Sequence, residues 1–396
     1  MILPISKCEM TGDGMKVEQT RWTESGGWTP HRPGQLVRDA QLVLLFGSRQ
    51  VLLKKAPRQA VQEAYPAAKV LGCSTAGEIC GTTVLDDSLV ATAIHFERTR
   101  VKGARMAIAD VADSVRAGQQ LAQALDRDGL RHVFVLSDGL HINGSELVRG
   151  LREHLPADVT VTGGLSGDGD AFKETLVLWD GPPQSHMVAV LGFYGPHLKV
   201  GYASLGGWDP FGPERVITKS SGNRLYELDG KSALALYKKY LGDHAKDLPA
   251  AGLLFPLSLR VPGESGAGVV RTILSVDEGE QSMTFAGDMP EGAYARLMKA
   301  NFDRLIDGAV GAARTSAAAL GQGGADLAIL ISCVGRKLVL KQRVEEEVEG
   351  VRDVLGPQAV MTGFYSYGEI SPFTPHARCE LHNQTMTITT FAERPT

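Results

Sequence analysis

Three stretches of the chain share one rhythm of apolar and polar positions. Each opens on an uninterrupted apolar run, at residues 41–47, 132–136 and 327–331. Runs so short and so apolar read as strands buried on both faces, the mark of a parallel sheet. Helical periodicity follows at 58–65 in the first stretch and at 344–355 in the third. In the second, Asn143-Gly144-Ser145 opens a helix with Leu147, Leu151 and Leu155 spaced four apart. A second short strand comes next, at 69–71, 159–162 and 359–361, and each runs into a glycine-rich loop. The loops read Gly72-Cys73-Ser74-Thr75-Ala76-Gly77-Glu78-Ile79, Gly163-Gly164-Leu165-Ser166-Gly167-Asp168-Gly169 and Gly363-Phe364-Tyr365-Ser366-Tyr367-Gly368-Glu369-Ile370. Strand–helix–strand units of this length predict parallel pairing with a right-handed crossover. Each loop then leaves the carboxyl end of a strand, where open α/β sheets bind ligands.

Between the second and third copies the pattern changes. Segments 187–193, 268–273 and 282–286 read as antiparallel strands, separated by turns such as Gly195-Pro196 and Asp277-Glu278-Gly279-Glu280. Helices are expected at 232–241 and 291–307, and 380–391 alternates as a final strand. The breakers of 206–213 mark a domain boundary. The expected fold class is therefore α/β, α+β in part. It comprises a polar leader (1–35), an α/β domain of repeated β-α-β units (36–210), and a second α/β domain (211–396) with an antiparallel-rich inserted region.

Composition narrows the function classes. With 43% hydrophobic and 22% charged residues, the 396-residue chain is an ordinary globular sequence. A net charge of -4 gives no electrostatic reason to expect nucleic acid or an anionic membrane as partner. No apolar stretch approaches the ~18 residues of a spanning helix, and the start, with Lys7 and Glu9, has no signal-peptide pattern. Five scattered cysteines then read as reduced thiols, and the expected location is cytoplasmic. Enzyme signatures are missing: Gly164-Leu165-Ser166-Gly167-Asp168 breaks the G-x-S-x-G elbow at its last position, and neither a Walker loop nor H-E-x-x-H occurs. The chain is read as a non-enzyme, with a hydrolase or transferase using Ser166, Asp168 or Glu369 as the third-ranked reading.

The first two glycine-rich loops resemble the amino-terminal half of FIST-domain proteins. Tyr226-Glu227-Leu228-Asp229-Gly230-Lys231-Ser232-Ala233 resembles the start of the carboxyl-terminal half. The pattern continues through Phe255-Pro256-Leu257, Phe285-Ala286-Gly287-Asp288-Met289-Pro290, the third loop and His382-Asn383-Gln384-Thr385. The resemblance covers roughly residues 38–392. It implies a sensory ligand-binding module of signal transduction. One stand-alone branch of the family consists of haem-binding nitric-oxide sensors that control a histidine kinase or cyclic-di-GMP enzymes. With no output segment following, this chain is expected to signal by docking on a separate protein. Haem is the leading expected cofactor, and a haem-free receptor for an amino acid or similar metabolite is the alternative. Self-association stays open.

A haem sensor needs an axial ligand, usually a neutral histidine in an apolar pocket. His186, heading an apolar strand on the face of Val188 and Val190, is the first candidate, also as metal ligand, and His141 the second. Arg271 is a candidate clamp for a carboxylate or propionate. Glu369 and its repeat counterpart Glu78 are a candidate carboxylate pair. Gly164, Ser166 and Tyr365 supply the loop contribution to the expected ligand-binding set. His382 is assigned a structural role, Cys73 and Cys333 are read as buried turn residues, and the His376, Cys379, His382 spacing is read as chance because zinc needs a fourth ligand.

Overall fold

The computed structural model describes residues 14–35, 37–263, 268–374 and 377–394. The three repeats are three copies of one unit. In each, two parallel strands lie side by side: Leu42–Ser48 with Lys69–Thr75, Leu130–Ser137 with Thr160–Leu165, and Leu327–Cys333 with Val360–Ser366. An antiparallel strand closes each pair, namely Ser88–His95, Met187–Tyr194 and Met386–Glu393. Beside it lies the strand that opens the unit, Lys16–Thr23, Arg100–Ala107 or Leu198–Leu205.

The other edge of each parallel pair is covered by a neighbour. The first unit's Glu78–Cys80 pairs with Val360–Ser366 of the third. The third unit's Gly368–Pro372 pairs with Thr160–Leu165 of the second, and the second unit's Val177–Trp179 with Lys69–Thr75 of the first. The exchange is cyclic, so no parallel pair is left with the unpaired edge that invites aggregation.

Apolar alternation explains the layers. Leu44 and Phe46, Phe134 and Leu136, and Ile329 and Ile331 face a common interior with Phe364 and Phe391. Their chain neighbours point outward. Val43 and Leu45 meet Val51, Leu52 and Val61, while Val135 and Leu330 join a cluster with Leu121, Leu147, Leu151, Ala312 and Val348 from the covering helices. Both faces are buried, which is why the strands read as continuous apolar runs.

In the third unit a small barrel is inserted between the opening strand and the helix Phe302–Ala318. Its sheet runs from Val269–Arg271 round to Ile273–Asp277, two strands joined in the chain by the single residue Thr272, so it nearly closes. The helix Ala233–Leu241 places Leu234, Tyr237 and Leu241 against Leu225, Met283 and Phe285 in its core.

Four sequence expectations change. Residues 291–307 are not one helix: Tyr294–Lys299 is a barrel strand, and the Asn301 side chain caps Phe302–Ala318 by accepting from the Arg304 N–H. The tail is two strands, Cys379–His382 and Met386–Glu393, broken where Gln384 takes φ 62°. The leader contributes Lys16–Thr23 and Gly27–Thr29 to the first sheet; Glu18 and Thr20 hid the strand by placing buried polar side chains on it. His186 precedes its strand in left-handed backbone (φ 54°), off the alternation with Val188 and Val190.

One buried ion pair joins the barrel's root to the third unit. Arg336 and Glu347 are fully buried and 2.7 Å apart. Arg336 also donates to the carbonyls of Gly206 and Leu305, while Ser332 and Tyr365 donate to the Glu347 carboxylate. Removing one partner strands the other charge, so Arg336→Met is expected to cost about 3–5 kcal/mol in urea denaturation. An effect below about 1 kcal/mol, the size of an exposed pair, would contradict this account.

Candidate functional site

The three glycine-rich loops converge at the carboxyl ends of the parallel strands and hydrogen-bond to one another. Ala76 N–H donates to Tyr365 O and Tyr365 N–H to Gly77 O, both at 2.8 Å. Gly167 N–H donates to Ser74 O at 2.9 Å, and Gly169 N–H to Thr75 O at 3.2 Å. The loops thus satisfy each other's main chain. Gly164 is packed so closely that a Cβ would lie 2.8 Å from the Ile331 side chain. Ser166 is buried and donates its hydroxyl to Ser137 O at 2.9 Å. Tyr365 is buried with its hydroxyl on Glu347. Asp168 accepts from Tyr367 and from the N–H groups of Lys173 and Glu174. Each of these groups has a structural partner, which leaves the nucleophile and base of the third-ranked reading engaged.

His141 and His186, far apart in sequence, come together. Their rings stack at 3.8 Å between centroids, 25° apart. Asp138 organises them: its buried carboxylate accepts from the N–H groups of Leu140, His141 and His186 and lies 3.2 Å from His141 Nδ1. Burial alone would raise Asp138, but these donors outweigh it and hold the carboxyl below its ordinary range. The arrangement does not fit a haem ligand. A haem plate needs an apolar slot, whereas the His141 side chain is 36% exposed beside a carboxylate. Two cavities of the molecule, one of about 20 Å³ in the barrel and one of about 600 Å³ at the start of the parallel strands, have no histidine in their walls.

Glu78 and Glu369 hold equivalent places. Each is buried and accepts a hydroxyl three residues back, Thr75 or Ser366. Each also accepts both the N–H and the hydroxyl of a residue at the closing strand, Ser88 or Thr385. They brace their own loops and are not brought together as a clamp. Burial raises Glu78 to about 7 and Glu369 to about 8 despite these donors. The cysteine thiols Cys73, Cys333 and Cys379 are buried and pushed up by desolvation, which makes them unreactive.

Among the described residues, five of the eleven buried side-chain atoms without a hydrogen-bond partner cluster along the seam between the barrel and the third unit; the others, on Ser48, Arg58, Ser145, Tyr194, Arg215 and Ser282, are scattered. His382 ends the first tail strand and Asn383 and Gln384 follow it before the second, all three fully buried. Among the described residues, His382 Nδ1, both amide atoms of Asn383, Gln384 Oε1 and the Thr272 hydroxyl have no hydrogen-bond partner. Such groups are rare in folded proteins, because each forfeits its hydration for nothing. Arg271 lies against the same segment, donating Nη1 to Leu381 O at 2.8 Å and Nε to Asp288 O at 3.3 Å. Burial draws its guanidinium down to about 10 and His382 to about 4. Gln384 reaches the barrel at Leu253 O, and Trp208 Nε1 donates to Gln384 O.

Two family models match the chain in sequence, the FIST N domain over residues 41–231 and the FIST C domain over 233–372. The chain belongs to the FIST family. FIST domains are sensory ligand-binding domains of signal transduction. An uncharacterized protein of Methanocaldococcus jannaschii is 23% identical over 268 residues, covering 62% of this chain and 51% of that protein. The FIST chain thus spans about half the length of that curated relative. Two solved structures are more distant. Cyanuric acid hydrolase from A. caulinodans is 14% identical and covers 75% of this chain and 100% of its own, with a TM-score of 0.18. PurLQS from Thermotoga maritima is 8% identical and covers 96% and 73%, with a TM-score of 0.18. Neither score carries an argument about this protein.

Of the residues singled out by sequence, Arg271 falls on the FIST protein's polar seam, His141 and His186 form their own pair, and the loop residues are structural. His376 lies outside the described residues; among those, no group of three or more possible metal ligands occurs. Asn383, Gln384 and Thr272 were missed as site residues. For Asn383 and Gln384 the signal was present, since the four polar residues 382–385 interrupt an otherwise alternating tail.

The raised carboxyls give a pH test. A carboxyl whose folded pKa lies above its unfolded value favours folding fully below about pH 4.5, and that contribution is lost as pH rises. For Glu369 the loss runs up through about 8. Glu369→Gln keeps the shape and removes the charge. Between about pH 5 and 8 the parent should lose stability relative to this variant by a few kcal/mol in urea denaturation. Parallel pH profiles would refute the assignment.

Proposed function

We propose that this FIST protein is a haem-free receptor for a small carboxylate-bearing metabolite such as an amino acid. The site is the seam between the barrel and the third unit. The observation that carries the reading is the set of buried, unpartnered atoms on His382, Asn383, Gln384 and Thr272 beside the buried Arg271. The Asp288 and Glu380 carboxylates act on the buried Arg271 through space, and a ligand carboxylate is held by the guanidinium's paired donors. Asn383, with a donor and an acceptor, reads the ligand's remaining polar groups. Binding favours one setting of the barrel against the third unit, because the ligand touches both. A separate signalling protein, such as a histidine kinase or a cyclic-di-GMP enzyme, reads the difference.

A thermal-shift screen of free amino acids and small carboxylic acids tests this. A ligand at ~100-fold over its Kd adds about 2.7 kcal/mol of stability, a rise of about 3–5 °C for a chain of this size. Asn383→Ala should weaken that ligand about tenfold or more, as should Arg271→Met. If instead no acid shifts the melting temperature, and added haem gives a sharp Soret band at one per chain that His186→Ala abolishes, the haem reading replaces this one.

A further inference from the structure

The larger cavity lies at the other end of the three-unit body from the glycine-rich loops. Its walls include Gln41 and Lys69, at the starts of the first unit's parallel strands, and Phe96 to Lys102, where the first unit passes into the second. The groove of about 600 Å³ is in the range of small-molecule sites. Four cations line it, Lys69, Arg98, Arg100 and Lys102, against two acids, Glu97 and Asp126. Lys102 is held by Asp126 at 3.0 Å and Lys69 by Asp180 at 2.9 Å. No acid is paired with Arg98 among the described residues, and Arg100 lies over the Tyr194 ring at 5.6 Å. Tyr194 and Phe96 lie beneath the groove, both buried.

The wall is built rather than loose. Glu393, buried at the end of the third unit's last strand, accepts the N–H groups of Glu97, Arg98 and Thr99 and the Thr99 hydroxyl, all at 2.7–2.8 Å. The turn that carries Arg98 and leads into the strand beginning at Arg100 is thereby fixed by a carboxylate from a different unit. Several cations gathered at a braced turn suit a phosphorylated anion, since guanidinium recognises phosphate by paired donors.

We infer that this groove binds a phosphorylated small molecule of nucleotide size, at a second site distinct from the seam. The full chain is titrated with a fluorescent N-methylanthraniloyl derivative of ATP, with inorganic pyrophosphate as competitor. The expected result is saturable binding at one site per chain, displaced by pyrophosphate. Arg98→Ala with Arg100→Ala should weaken it at least about tenfold, and both side chains are exposed, so the fold is retained. Asn383→Ala should leave it unchanged, which separates this site from the seam. Absence of saturation, failure of pyrophosphate to compete, or equal affinity in the double arginine variant would overturn the inference.

Discussion

Everything in this molecule depends on how the open edge of each parallel pair is closed. A two-stranded parallel pair with one helical layer cannot stand alone, because its outer strand exposes a full row of N–H and C=O groups. Here the chain segment that leaves each pair reaches across to the next unit, and the circle closes from first to third to second and back to first. Side-chain bonds run the same way, as where Thr92 donates to Thr362 and Thr389 to Thr162. The three repeats therefore form one body rather than beads on a string. Expelling one arm would expose strand edges in two units at once.

That body gives the protein two ends of different character. At the carboxyl ends of the strands the loops interlock and leave little for a ligand to do, which overturns the simple expectation that glycine-rich loops there make a pocket. Just beside them, the inserted barrel lies against the third unit through groups that are buried but not satisfied. A polar seam of this kind destabilises the contact until something fills it. Arg336, by contrast, ties the barrel's root at Gly206 and Leu305 with complete hydrogen bonding. A firm root and an under-satisfied seam are what the proposed response of the barrel to a ligand requires.

Most of the architecture was legible because parallel strands buried on both faces leave a plain apolar signature, repeated three times. The cyclic exchange was not, since the segments that cross, such as Glu78–Cys80 and Val177–Trp179, are three residues long and carry no periodicity. The strand Tyr294–Lys299 was mistaken for helix because Leu297 and Met298 sit at helical spacing from residues of the helix that follows. The site was only partly legible. Arg271 stood out as a cation in an apolar strand, whereas Asn383 and Gln384 showed in the sequence only as a break in the tail's alternation, and their lack of partners needs the structure. The histidines were sought as metal ligands, and Asp138, whose backbone-bound carboxylate sets their geometry, gave no sign in sequence that it would face His186.

The central claim is that the seam at His382, Asn383 and Arg271 is a ligand site. A crystal structure of the purified protein, at a resolution that places ordered water, addresses it directly. The account predicts connected density larger than water between the barrel and the third unit, touching the Asn383 amide and the Arg271 guanidinium, or the same density after soaking with a stabilising carboxylic acid. Isolated waters that complete every one of these hydrogen bonds, unchanged by the soak, would contradict it.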